Sequence, residues 1–278
     1  MNWDIEIRPS GKWLDIDIKG IWQYRDMLRM YVKRDITVQY KQTALGPIWY
    51  VLQPLLATLV YMLVFGALAG ISTDGAPMAL FYMSGIMVWN YFTSVFTASY
   101  TLFSANAPLF GKVYFPRLII PLSVAVSSLA RLALQLAFFG ILYLYIIWNG
   151  SEVRPTIAVL MLPAEILAMT LAAMAFGLII SSLTAKYHDL CQITSFGIQL
   201  YMYATPIIYP LSAAPEKYRH LISLNPLAPI FESVRYSLLG CGTISYGSVL
   251  YSSIFIIFSL AIALVVFGKT ERNFIDTV

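Results

Sequence analysis

The sequence has 278 residues, of which 59% are hydrophobic and 12% are charged, and its net charge is +4. An ordinary soluble domain carries about 25% charged residues, and one soluble core could not bury this much apolar surface. The composition therefore excludes a soluble globular protein and indicates an integral membrane protein. The two cysteines, Cys191 and Cys241, lie far apart and indicate no disulfide framework.

Residues 1–46 form an N-terminal segment that differs in composition from the rest of the chain. Between residues 3 and 18, apolar residues such as Ile5, Ile7 and Ile16 alternate with polar ones, and a Pro-Ser-Gly turn separates two such runs. This period of two predicts a small β-hairpin over 3–18, with an irregular extended tail as the alternative.

An amphipathic helix is predicted next, over residues 21–43. Its apolar residues recur at i, i+3 and i+4, which places them on one face. A basic stripe of Arg25, Arg29 and Lys33 lies on another face, with Arg34 beside it. Such a helix lies in the lipid headgroup plane with its cations toward anionic lipid or a partner, so we predict an interfacial helix. The alternative is an amphipathic helix of a soluble domain.

Residues 47–278 are predicted to form one transmembrane domain. No charge occurs from Ile48 to Ala69, so the boundary between water and hydrocarbon lies near Gly46 and Pro47. Six segments are long enough to cross about 30 Å of hydrocarbon. They run from about 47 to 70, 79 to 103, 118 to 148, 156 to 183, 193 to 210 and 246 to 267. The sequence therefore predicts an all-α membrane protein with six transmembrane helices.

Residues 211–245, between the fifth and sixth predicted spans, are semi-apolar and interrupted by prolines and glycines. Neither half is long enough to cross a bilayer. Lipid cannot satisfy backbone polar groups, so such a segment must be covered by protein or line an aqueous cavity. We predict a pair of short re-entrant helices on the outer side, with an ordinary external loop as the alternative.

The distribution of lysine and arginine predicts the orientation. Thirteen of these residues lie on the side that holds the N-terminal segment and the C-terminal tail, and four lie on the other side. Loops rich in basic residues stay in the cytoplasm. Both termini are therefore predicted to be cytoplasmic.

Two charged residues interrupt the apolar spans, Arg131 in the third and Glu165 in the fourth. Charges at membrane depth are costly and usually face a cavity or a partner. At about 1.5 Å per residue, Arg131 lies roughly 20 Å from the cytoplasmic face and Glu165 roughly 13 Å from the outer face. The two groups either pair or both line a pathway. The alternative is a snorkelling arginine and a glutamate near a helix end.

No catalytic or metal site is predicted. The Gly268-Lys269-Thr270 run lacks the upstream glycine of a phosphate-binding loop, because Ala263 occupies that position. His188 and His220 lie on opposite predicted sides of the membrane, so they cannot share a metal ion. The chain is therefore predicted not to be an enzyme and to hold no cofactor of its own.

Several short motifs resemble those of one known family. They are Arg34-Asp35, Tyr40-Lys41, Thr43-x-Leu45-Gly46, Trp49, Pro54, FPRLIIP (115–121), KYHDL (186–190), TPIIYP (205–210) and LNPLAPIFESVR (224–235). In this order and spacing, the motifs resemble the membrane subunit of bacterial polysaccharide ABC exporters of the ABC-2 type, which carry O-antigen, capsule and teichoic-acid polymers.

The resemblance implies a permease subunit in the bacterial inner membrane that works as a homodimer with two copies of a separate ATPase subunit. That partner would bind ATP and magnesium. The substrate would be a lipid-linked polysaccharide, with undecaprenyl diphosphate as the carrier, and no nucleic acid is involved. The alternatives are an ABC-2 exporter of drugs or small lipids and a membrane-bound enzyme of cell-envelope glycans.

The cytoplasmic loop at residues 105–121 mixes aromatic residues with cations, a composition suited to docking in a partner's cleft. By resemblance it is the coupling loop that meets the ATPase subunit. The residues assigned to this contact are Leu109, Phe110, Lys112 and Arg117, with His188 and Asp189 from the next cytoplasmic loop. The alternative is an interfacial anchor.

Aromatic residues provide candidates for the substrate path. Trp89, Phe92, Phe96 and Tyr100 share one face of the second predicted span, and Tyr201 and Tyr203 lie in the fifth. Aromatic rings can pack on the C–H faces of sugars, and tyrosine hydroxyls can exchange hydrogen bonds with them. Together with Arg131 and Glu165, these residues are predicted to line the path. The alternative is that the rings pack between helices or face lipid.

Overall fold

The computed structural model describes residues 18–41, 46–110, 112–113, 115–151, 153–187, 189–242 and 244–275. The predicted β-hairpin over 3–18 lies outside these residues, apart from Ile18, where the first helix begins.

The described residues form eleven α-helices and no strand, which confirms the all-α class. In chain order they are α1 (Ile18–Gln23), α2 (Arg25–Lys41), α3 (Trp49–Tyr61), α4 (Met78–Tyr100), α5 (Leu102–Phe110), α6 (Ile119–Trp148), α7 (Leu162–Thr184), α8 (Leu190–Ala204), α9 (Glu216–Ser223), α10 (Ala228–Leu239) and α11 (Tyr246–Ile275). A π-helical turn, Met62–Leu68, extends α3, and a 3-10 turn, Ile157–Met161, precedes α7. The predicted helix over 21–43 is thus two helices, α1 and α2, joined at Tyr24.

Four helical segments are long and apolar enough to cross a bilayer in the described part of the chain: Trp49–Leu68, Ile119–Trp148, Ile157–Thr184 and Tyr246–Glu271. These four coincide with the first, third, fourth and sixth predicted spans. The other two predicted spans correspond to α4, which carries polar side chains among its apolar ones, and α8, which has only 15 residues.

Helix α4 is the centre of the bundle. It packs between α6 and α7, and 16 of its residues are buried. Apolar residues lie on most sides of α4, so a position in the middle of the bundle buries them, while its polar side chains hydrogen-bond within the protein. Helix α7 in turn packs against α11.

Gly177 allows α4 and α7 to approach each other closely. A Cβ atom at this position would lie 2.4 Å from the Ser99 Cβ and 2.9 Å from the Phe96 carbonyl oxygen. No real side chain tolerates such distances, so any larger residue must push the two helices apart. Gly140 in α6 is a natural contrast, because a Cβ there would meet nothing within 4 Å.

We therefore expect Gly177→Ala to destabilise the protein by about 1–3 kcal/mol, the usual cost of overpacking a core. Gly140→Ala should be neutral or stabilise the protein, since alanine favours the helix over glycine. Thermal unfolding of the two purified variants in detergent measures the difference. Equal or greater stability of Gly177→Ala would contradict the close packing of α4 on α7.

Each end of the bundle is held together by its own set of contacts. At one, called here the α2 end, the Arg117 Nε lies 3.5 Å from the Glu271 Oε1 and the rings of Phe103 and Phe267 stack at 5.5 Å. These contacts join the segment before α6, helix α5 and the last turns of α11. At the other, the α10 end, the Ser212 hydroxyl donates to the Asp74 carboxylate. That bond ties the turn after the first span to the segment that precedes α9.

Candidate functional site

The predicted docking residues at the α2 end divide into buried and exposed groups. Arg117 is only 5% exposed, and its guanidinium lies 4.8 Å from the centroid of the Phe110 ring. Leu109 and Phe110 are half-buried against the apolar residues of this end, which include Phe103, Phe115 and Phe267. Lys112 and Asp189 are exposed, and His188 lies outside the described residues. The structure therefore places Arg117 inside the protein, where it holds the α2 end together, and leaves Lys112 and Asp189 available to a partner.

Helix α5 lies beside the ends of α7 and α8 that flank the loop between them. The Ser104 Oγ is 3.6 Å from the Cys191 Sγ, and the Thr184 hydroxyl donates to the Tyr100 carbonyl oxygen at 2.9 Å. The exposed residues that follow α5 and α7 are Lys112, Val113, Lys186, Tyr187 and Asp189, and we call them the loop surface.

Helix α2 packs one face on α6 and leaves its cations in the open. Tyr31 is buried against Phe115, with 6.4 Å between ring centroids. The four predicted interfacial cations, Arg25, Arg29, Lys33 and Arg34, are all exposed. A groove of about 350 Å³ runs between α2 and α6, with an apolar floor and with Arg29 and Lys33 at its rim. Its floor consists of Leu28, Val32, Ile36 and Val126.

A polar cavity of about 270 Å³ lies between α3, α4 and α6. Nine of its ten lining residues have hydrogen-bonding side chains. The ten are Tyr50, Gln53, Asn90, Tyr91, Thr93, Ser94, Ser128, Arg131, Leu132 and Gln135. Polar groups facing lipid are costly, and in this bundle they converge on one cavity.

Pro54 explains how the cavity wall is built. Proline has no N–H, so it cannot bond the carbonyl of the residue four positions earlier in the helix, which is Tyr50. The Gln135 Nε2 of α6 donates to this freed Tyr50 oxygen at 3.0 Å. Pro54 thus makes the Tyr50 carbonyl oxygen available as the acceptor through which α6 is bonded to α3.

Arg131 lies in this cavity, but nearer the end of the first span than its sequence position suggests. Its guanidinium is 6.0 Å from the centroid of the Tyr50 ring, and Tyr50 belongs to the first turn of α3. The predicted depth of roughly 20 Å assumed that the membrane begins where α6 begins. Helix α6 has 30 residues, about 45 Å, and its early turns pack against α2. The structure places Arg131 beside the first turn of α3, and its depth in a membrane stays a prediction.

Glu165 has different partners. Its Oε1 accepts hydrogen bonds from the hydroxyls of Ser233 and Ser237, the second at 3.0 Å, and both serines belong to α10. Arg131 donates to the Ser128 hydroxyl instead, at 2.5 Å. Among the described residues, Arg131 and Glu165 form no ion pair, so the pairing alternative is excluded in this chain. The two charges belong to separate sites.

A second buried ion pair, which the sequence did not single out, organises the α10 end. The Arg235 Nη1 lies 3.3 Å from the Glu232 Oε1, and its guanidinium lies 4.0 Å from the centroid of the Phe81 ring. Arg235 also donates to the carbonyl oxygens of Ile207 and Tyr209. The count of lysine and arginine residues in the sequence assigned Arg235 only to the outer side of the membrane, without a partner. The available signal was the i, i+3 spacing of Glu232 and Arg235 on one apolar helix.

A hydrogen-bonded chain links two of the motifs noted in the sequence. Tyr201 donates to the Asn225 Oδ1 at 2.7 Å, and the Asn225 Nδ2 donates to the Thr205 hydroxyl at 3.0 Å. The Leu227 amide donates to the same Asn225 oxygen at 2.9 Å. TPIIYP and the start of LNPLAPIFESVR are therefore held together by Asn225.

The predicted aromatic face of α4 exists as a ladder of rings. Phe92 lies 5.4 Å from Trp89 and 5.8 Å from Phe96, and Tyr100 lies 5.2 Å from Phe96. All four side chains are at most 5% exposed in this single chain. This burial favours the packing alternative, and their place in a substrate path stays a prediction. Of the two α8 tyrosines, Tyr203 is 55% exposed.

Comparison with known proteins places the chain among membrane transporters. A family described as "ABC-2 type transporter" matches residues 27–239. The O-antigen export system permease protein RfbA of Klebsiella pneumoniae is 30% identical over 254 residues, covering 90% of this chain and 94% of that protein. RfbA of Myxococcus xanthus is 28% identical, covering 78% and 81%. The polysialic acid transport protein KpsM of Escherichia coli is 23% identical, covering 86% and 91%.

Proposed function

The chain belongs to the ABC-2 type transporter family, and from this premise we propose that it is the transmembrane subunit of an exporter of lipid-linked polysaccharide. The observation that carries the proposal is the 30% identity to an O-antigen export permease over 90% of this chain. An O-antigen-like polymer on undecaprenyl diphosphate is the proposed substrate. The bacterial inner membrane is the site of action.

We assign α4 and α8 as the remaining two of six spans. Helix α4 has 23 residues, about 35 Å, and lies between α6 and α7, both long enough to cross. Helix α8 is shorter, about 22 Å, but residues 205–210 continue it to the α10 end. With this assignment, successive spans from α3 to α11 cross the membrane in opposite directions.

Helix α10 supports a re-entrant assignment. With 12 residues, about 18 Å, it is too short to cross a bilayer. Eleven of these residues are buried by the rest of the chain. Protein cover of this kind is what a non-spanning segment needs at membrane depth.

The α2 end is proposed to face the cytoplasm, because it carries most of the basic residues. The groove beside α2, with an apolar floor and cationic rim, suits a helix that lies at the headgroup level. We expect a cysteine at Ser72 to react with an impermeant maleimide in intact cells. A cysteine at Lys186 should react only after lysis, with Cys191 and Cys241 replaced beforehand. Labelling of Lys186→Cys in intact cells would reverse the orientation.

ATP hydrolysis is assigned to a separate subunit, because the sequence has no phosphate-binding loop. That subunit would bind ATP and magnesium and dock on the loop surface. Exposed Lys112 and Asp189 give this surface both signs of charge, which favours a specific orientation of the partner.

A homodimer is proposed because no residue of α8 is buried within the single chain. Its uncovered surface includes Gln192 and Gln199 beside Ile193 and Phe196. Amide side chains are costly against lipid tails and find partners on another helix. A second copy of the chain is the proposed cover.

The function is tested by removing the chain from its host and analysing the polymer. Polysaccharide should remain on the cytoplasmic side, attached to its carrier, and the wild-type gene should restore surface polymer. A candidate ATPase subunit from the same host should co-purify with the tagged chain. Normal surface polymer in the depleted strain, or accumulation of a small lipid instead, would contradict polysaccharide export.

A further inference from the structure

The polar cavity between α3, α4 and α6 has the chemistry of an anion site. Its ten lining residues include one cation, Arg131, and no carboxylate. The Asp35 carboxylate lies near enough to interact with Arg131 electrostatically, but its Oδ1 already accepts two hydrogen bonds from Arg34. The cavity therefore retains a net positive character.

The hydrogen bonds within the cavity leave specific donors free. Thr93 and Ser94 donate to carbonyl oxygens of their own helix, and the Tyr91 hydroxyl is bonded to Thr170. Among the described residues, Arg131 has one hydrogen bond, to Ser128, although its guanidinium carries five N–H groups. In that same part of the chain, the side-chain amides of Gln53 and Asn90 form none. A guanidinium and two amides thus converge on the cavity with unused donors.

The size of the cavity limits what it can hold. A volume of about 270 Å³ corresponds to about nine water molecules, and it lies at the small end of small-molecule sites. A diphosphate with part of one sugar fits such a space, whereas a polymer sliding through does not. The cavity is therefore suited to recognising one end of a substrate.

Its position suits a lipid headgroup. The cavity lies beside the first turn of α3, near the end of the first span, where the headgroup of a membrane lipid would also lie. Arginine binds phosphate with two parallel N–H donors, and amides bond sugar hydroxyls in either direction. We propose that this cavity binds the phosphorylated sugar headgroup of the lipid carrier, with Arg131 on a phosphate oxygen and Gln53 and Asn90 on the first sugar. This assignment rests on the proposed function and names its recognition site.

The test uses the chain with its co-purifying subunits in lipid nanodiscs and three probes. Farnesyl diphosphate carries both tail and diphosphate, farnesol lacks the phosphates, and inorganic pyrophosphate lacks the tail. We expect binding of farnesyl diphosphate that farnesol does not compete away and that pyrophosphate competes only weakly. Arg131→Gln should weaken it about tenfold or more, the usual effect of losing a hydrogen bond to a charged group. Arg131→Lys should retain part of the affinity.

Controls separate recognition from a folding defect. Arg154→Gln removes the same charge from an exposed loop at the α10 end and should change nothing. Asn90→Ala should reduce only the preference for a farnesyl diphosphate that carries one sugar over farnesyl diphosphate itself. Unchanged binding in Arg131→Gln would overturn the proposal. Full competition by farnesol would overturn it too, and full competition by pyrophosphate would reassign the site to a free anion.

Export in cells distinguishes this inference from the proposed function. If the wild-type gene restores surface polymer and Arg131→Gln does so equally well, the headgroup site is wrong while the exporter stands. If the wild-type gene restores nothing, the proposed function itself has failed. We expect wild type to restore export and Arg131→Gln to restore at most a tenth of it, with the complex still assembled.

Discussion

Arg235→Gln should leave little folded protein in the membrane. Arg235 is 2% exposed, and its guanidinium contacts Glu232, the carbonyl oxygens of Ile207 and Tyr209, and the Phe81 ring. Its removal leaves the Glu232 carboxylate buried without its counter-charge. Breaking a buried ion pair in this way costs about 3–5 kcal/mol, a large share of the roughly 5–15 kcal/mol by which proteins are stable. Thermal unfolding and the monodisperse fraction after detergent extraction measure the loss.

A double variant makes this prediction specific to the charge. Glu232→Gln together with Arg235→Gln removes both ions and should be more stable than Arg235→Gln alone, because no uncompensated charge remains. Lys217→Gln, an exposed cation in α9, should stay within about 0.5 kcal/mol of wild type. If Arg235→Gln accumulates and unfolds like wild type, the pair does not stabilise the α10 end.

Arg117→Glu and Lys112→Glu should fail in different ways, although the sequence assigned both residues to the same contact. Arg117 is buried between two aromatic rings and paired with Glu271. A glutamate there faces Glu271 directly, so we expect a loss of about 3 kcal/mol or more and poor accumulation. Lys112 is exposed, so Lys112→Glu should fold normally and weaken the complex with the ATPase about tenfold.

The measurements are thermal stability for the first variant and co-purification of the ATPase for the second. Lys217→Glu makes the same charge reversal at the α10 end and should affect neither. A folded Arg117→Glu variant that has lost only the ATPase would return this residue to the docking contact. Normal complex formation by Lys112→Glu would remove the loop surface as the docking site.

Several features of the fold could be read from the sequence because they depend on local composition. Four of the six predicted spans match helices long and apolar enough to cross a bilayer. The helix predicted over 21–43 is present as α1 and α2, with its cations exposed. The face shared by Trp89, Phe92 and Phe96 follows from helical periodicity alone, and the ladder of rings confirms it.

The family was also within reach of the sequence, since motif order and spacing are properties of the chain itself. Their physical meaning was not. Asn225 in one motif bonds Thr205 in another, and Pro54 matters because it frees the Tyr50 oxygen for Gln135. These links join residues between 20 and 85 positions apart in the chain.

Composition, periodicity and motif order were enough to identify a helical membrane protein, the positions of its long apolar helices and its family. The partner of each charge depends instead on how the helices pack. Arg131 faces a polar cavity, and Glu165 accepts hydrogen bonds from two serines of α10. Arg117 is buried at the α2 end beside Glu271, and Arg235 is buried at the α10 end beside Glu232. The reason is that a helical period of 3.6 residues defines which side chains share a face. The rotation and register of the packed helices define what that face meets.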